Sequence, residues 1–79
     1  MPPEDLLERL HRRPFEPFRI HLSDGTSYEV RHPELVLVGR RSAVVGVTDS
    51  EQQPPLYDRY TTVALVHIVR LEPIAASAA

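Results

Sequence analysis

Between Phe18 and Val30 apolar and polar residues alternate on both sides of an Asp-Gly pair. Phe18, Ile20 and Leu22 alternate with Arg19, His21 and Ser23, and beyond Asp24-Gly25 the residues Thr26, Tyr28 and Val30 alternate with Ser27 and Glu29. A period of two predicts a half-buried antiparallel strand pair. The turn decides its register. A two-residue Asp24-Gly25 loop sets Ile20 opposite Glu29 and Leu22 opposite Ser27, mixing apolar and polar side chains on one face. A three-residue loop, Ser23-Asp24-Gly25, instead sets Leu22 against Thr26, Ile20 against Tyr28, Phe18 against Val30 and Arg19 against Glu29. The three-residue loop is therefore expected, with Gly25 in the left-handed conformation that other residues resist.

The rest of the chain follows by the same reasoning. Pro2-Pro3-Glu4-Asp5 with Leu6, Leu7 and Leu10 predicts an amphipathic helix over about 3–13, ended by Pro14. Its leucines need cover from an open end of the β-structure or from a neighbouring subunit. The first strand is expected over about 17–22, and His32-Pro33-Glu34 interrupts the ladder after the hairpin because proline cannot donate. Leu35 to Val38 is β-prone, Gly39-Arg40-Arg41-Ser42 reads as a turn, and Ala43 to Thr48 reads as a strand bent or closely approached at Gly46. Residues 49–56, with Pro54-Pro55, read as a mobile polar loop. Tyr60 to Leu71 is too long for one straight strand of a small barrel, so two are expected, about 59–64 and 68–72, joined by a tight turn near Leu65-Val66-His67. Pro73 ends the second, and residues 74–79 read as a disordered tail.

The chain has 79 residues, enough for one domain over 1–73, its barrel about 15–73, with a small core that oligomerisation would enlarge. At 42% apolar and 25% charged residues it reads as a globular chain and not a disordered one. It lacks cysteine, which excludes disulfides and thiolate metal sites. Its apolar runs are too short to span a bilayer, and no signal-peptide pattern opens the sequence, so a cytoplasmic, non-membrane protein is expected. A net charge of −2 argues against a strongly electrostatic nucleic-acid binder. Arg9, Arg12, Arg13 and Arg19, with His11 and His21, form a local basic cluster that reads as a solvated helix end and strand face sooner than as a binding patch.

One helix followed by five short, bent strands resembles the small open barrels of the SH3-like and Sm-like kind. FRIHLSDGTSYEV is similar to the first Sm motif, an apolar-x-Leu-x-(Asp/Asn)-Gly hairpin. YTTVALVHIVRLEP is similar to the closing strands of Sm-like and Hfq-like chains. The resemblance implies a mainly β fold, a homo-oligomer and single-stranded RNA as a partner. Three features depart from the pattern: Val30 stands where Sm chains carry a second glycine, His32-Pro33-Glu34-Leu35-Val36 lacks their acidic element, and Ala64-Leu65-Val66 replaces the Tyr-Lys-His run of Hfq-type chains. Those are the positions with which the family holds uridine, so the fold carries over better than the activity. The chain also resembles short bacterial proteins built on PFxPFxIxLxDG…VxHPE, which implies no function.

Candidate chemistry is sparse. His11, His21, His32 and His67 show no ligand spacing, so no metal or other cofactor is expected. Asp24, Asp49 and Asp58 fall in turns, where aspartate bonds its own backbone, and Ser23 and Ser42 have no histidine and carboxylate at a recognisable spacing. The three glycines are isolated, so no phosphate loop is present. A non-enzyme is expected: a barrel module acting through self-assembly and protein interaction. The alternative is an Sm-like oligomer binding single-stranded RNA, for which Arg40, Arg41, Tyr57 and Arg59 are the candidate contacts, arginine supplying charge and tyrosine stacking.

Overall fold

A computed structural model describes residues 1–47 and 58–74. The helix, α1, spans Pro3–Leu10, with proline in its first turn beside Glu4 and Asp5, where negative charge complements the helix dipole. It stops short of the expected residue 13. Pro14 pushes Arg13 out of the helical region, and His11 already leaves it (φ −95°, ψ 3°) while donating its N–H to the Leu7 carbonyl at 2.9 Å.

Among the described residues six strands follow, in two three-stranded sheets. In the first, β1 (Phe18–Leu22) lies between β2 (Ser27–Val30) and β6 (Ile68–Pro73); in the second, β4 (Ser42–Val47) lies between β3 (Val36–Val38) and β5 (Arg59–Ala64). All pairings are antiparallel. The hairpin has the three-residue loop and the register expected of it, Phe18 facing Val30, Arg19 facing Glu29 and Ile20 facing Tyr28. The Leu22 N–H bonds the Thr26 carbonyl at 2.9 Å, the Gly25 N–H bonds the Leu22 carbonyl at 3.0 Å, and Gly25 takes φ +92°.

The strand count departs from the expected five because of Pro33. A one-turn 3-10 helix, η1 (Pro33–Leu35), breaks the chain after β2, and β3 resumes in the other sheet. The apolar stretch near the end divides as its length demanded: β5, then a second 3-10 turn, η2 (Leu65–His67), then β6. The loop expected at 49–56 lies outside the described residues, as do all but the first residue of the expected tail.

Both sheets and the helix contribute to one core. Phe18, Ile20 and Val30 come from the first sheet, Ala43, Val45 and Val63 from the second, and Leu6 and Leu10 from α1, all buried. The expected leucine stripe is thus covered within the chain, by packing on β3, except Leu7, which stays exposed.

Candidate functional site

Strand alternation gives each sheet an outer face, and the two differ in chemistry. On the first sheet the rows Glu29–Arg19–Glu72 and Ser27–His21–Arg70 face outwards. Arg19 bridges both carboxylates, at 2.6 Å to Glu29 and 3.4 Å to Glu72; His21 Nε2 lies 2.8 Å from Glu72 and Arg31 lies 3.0 Å from Glu29. The Arg19 hydrogen bond, then Arg31, holds the Glu29 carboxyl below the ordinary glutamate range. The His21 hydrogen bond, with help from Arg70 and Arg19, does the same for Glu72. This face is internally paired. Two further members of the basic cluster are engaged within the chain: Arg12 grips Glu8 at 2.8 Å and Glu16 at 2.9 Å, and Arg9 lies over the Phe18 ring, 5.2 Å from its centroid. The Arg9 Nε and Nη2 are buried with no hydrogen-bond partner among the described residues. Arg9 is a packing residue, and Leu6 and Leu10 on its helical face were the signal for that.

The paired rows on the outer face of the second sheet carry no charged side chain. Leu37, Val44 and Thr62 form one cross-strand row, and Tyr60 lies opposite Gly46 in the next. Leu37 is 71% exposed and Tyr60 67%. Beside Leu37, the exposed Leu7 joins Pro33 and Val38 along a shallow groove between α1 and β3.

A second groove, of about 400 Å³, runs between the hairpin turn and β5. Ser23, Asp24, Thr26 and Tyr28 line one wall and Thr61 to Ala64 the other, with His67 among its lining residues. Here folding joins residues that their positions in the chain keep apart: Ser23 Oγ shares a hydrogen bond of 3.2 Å with His67 Nδ1, and the Ser23 N–H bonds the His67 carbonyl at 2.8 Å. No sequence spacing signals this contact, which joins residues 44 positions apart. Asp24 does not complete a triad, because its Oδ1 accepts from the Thr26 hydroxyl at 2.7 Å and the Thr26 N–H at 2.9 Å. Those two bonds, the hydroxyl's first, keep the Asp24 carboxyl below its usual range. The serine–histidine contact fastens the hairpin turn to η2.

Of the four residues singled out for RNA, the three that the structure describes are not gathered at one place. Arg40 and Arg41 are exposed on the β3–β4 turn, before β4 begins at Ser42. Arg59 faces Val47 at the other end of the β4–β5 ladder, about 17 Å away for five strand residues. Tyr57 lies outside the described residues. Among the described residues no three metal-ligating side chains converge, and no helix is long and apolar enough to cross a membrane.

Comparison with protein-family models, curated proteins and solved structures finds no match for the chain.

Proposed function

We propose that this chain is a small open barrel of the SH3-like or Sm-like kind, a non-catalytic module that works by self-assembly and protein interaction. Joining β2, η1 and β3 into one bent strand gives the strand path β6-β1-β2/β3-β4-β5, which is the five-stranded order of such barrels. The observation that carries the interaction reading is the contrast between the two outer faces. The first sheet pairs its charges within itself, whereas the second carries Leu37 and Tyr60 exposed on its outer face. Exposed apolar side chains on the face of a sheet favour association with another chain.

Light scattering across a concentration series tests this reading. The expected result is a mass rising above the 9.0 kDa of one chain. A mass that stays at one chain throughout, with no protein recovered on the chain as a bait, refutes it.

A further inference from the structure

The groove between the hairpin turn and β5 plays no part in the self-assembly reading, yet it has the size of a small-molecule site. Its volume of about 400 Å³ lies within the range of ligand clefts. Leu22, Val63 and Ala64 give it apolar walls, and its polar groups come from two stretches far apart in the chain, Ser23 to Tyr28 and Thr61 to His67. The two bonds between Ser23 and His67 tie those stretches together, so the cleft is formed before any ligand arrives.

Its polar groups are mostly acceptors. Asp24 is the one carboxylate among the described lining residues, and no lysine or arginine stands among them. Thr26 gives its hydroxyl proton to Asp24, which leaves the threonine oxygen only to accept. Ser23 Oγ and His67 Nδ1 share a single proton between them. The cleft therefore favours a ligand that brings positive charge and several N–H donors. Asp24 decides which cation that is. Its Oδ1 already accepts from both the N–H and the hydroxyl of Thr26, at 2.9 Å and 2.7 Å, and these fill the two lone pairs of that oxygen. A guanidinium makes its strong fork on both oxygens of a carboxylate, and one of them is taken here. An ammonium is a point charge with three rotatable donors, so Oδ2 serves it alone and the remaining protons find hydroxyl oxygens.

We propose that this groove binds a primary alkylammonium group, with Asp24 Oδ2 as counter-ion, the lining threonine hydroxyls as further acceptors, and Leu22, Val63 and Ala64 against the alkyl chain. The site belongs to a single chain, so it stands or falls separately from self-assembly. A free amine and a lysine side chain of another protein both supply the group.

Titration of n-butylammonium chloride into isotopically labelled protein at constant ionic strength, followed by backbone amide shifts, tests the site. Saturable shifts centred on Asp24, Thr26, Thr61 to Ala64 and His67 are expected, with a dissociation constant in the millimolar range for so small a ligand. n-Butanol, which lacks the charge, and n-butylguanidinium, which needs the fork, are expected to bind several-fold more weakly. Asp24→Ser keeps an oxygen for the Thr26 N–H but removes the charge, and is expected to weaken n-butylammonium binding about tenfold or more. Thr62→Val, at an exposed strand position that accepts valine, is expected to keep the melting temperature and weaken binding several-fold. Nα-acetyl-lysine amide separates the two sources: tighter binding than n-butylammonium assigns the site to a protein lysine, and equal or weaker binding assigns it to a free amine. Absence of saturable shifts, unchanged affinity in either variant, or equal binding of n-butanol or n-butylguanidinium overturns the proposal.

Discussion

Replacing Gly25 isolates the conformational contribution of one residue. Its φ of +92° lies where L side chains are rarely found, yet a Cβ built on it meets nothing within 4 Å. The penalty of Gly25→Ala is therefore backbone strain without a steric clash. The left-handed conformation costs an L-residue roughly 1–2 kcal/mol, and the stiffer unfolded chain of alanine returns about 0.4–1 kcal/mol. A net loss of about 1 kcal/mol is expected, about 4–8 °C in Tm for a domain of this size. Gly25→Val should lose at least as much, because β-branching narrows the backbone further, and Gly25→Asn should lose least, because asparagine tolerates this region. Gly39→Ala is a control of another kind, since its Cβ would stand 3.0 Å from the Ser42 carbonyl oxygen. Urea unfolding with an unchanged m-value measures each difference. If Gly25→Ala and Gly25→Val are both neutral, the three-residue loop, and with it the register of the hairpin, is refuted.

Three further outcomes are expected. Leu6→Ala removes a fully buried side chain that ties α1 to the core, and should cost about 3 kcal/mol in urea unfolding; a loss under about 1 kcal/mol would mean the helix is not seated as described. Glu29, Glu72 and Asp24 are held below their ordinary ranges when folded, so their stabilisation is fully present above the unfolded values of 4.5 and 3.8 and fades as pH falls through and below them. Glu72→Gln should flatten that acid slope in thermal melts, and an unchanged slope would contradict the Arg19–Glu72–His21 arrangement. Arg40→Glu with Arg41→Glu should leave the melting temperature nearly unchanged and abolish retention of labelled oligouridine if the β3–β4 turn contacts RNA; retention by the double variant removes that turn as the site.

Local features were legible in the sequence and long-range ones were not. The hairpin register could be read because alternation and turn chemistry act within a few residues and agree. The β5–η2–β6 break could be read because Tyr60 to Leu71 outruns one strand of a small barrel. Pro33 announced the break after β2, but its consequence, β3 leaving for the second sheet, depends on β4 taking it up. The Ser23–His67 contact joins residues 44 positions apart, and Glu72 reaches Arg19 and His21 only once β6 lies beside β1. Neither has a local signal. Arg9 carried one that was outweighed: it shares a helical face with Leu6 and Leu10, yet counted as part of a charge cluster. The contrast between a paired charged face and an open apolar one emerges only from the sheet registers, because Leu37, Val44 and Tyr60 sit in separate segments whose alternation looks like that of any half-buried strand.

Sedimentation equilibrium over a range of concentrations, on the unsubstituted protein and on Leu37→Glu, tests self-assembly through the outer face of the second sheet most directly. The account predicts a mass above the 9.0 kDa of one chain, which Leu37→Glu returns towards 9.0 kDa. A mass of one chain at every concentration, or a higher mass that Leu37→Glu leaves unchanged, would contradict it.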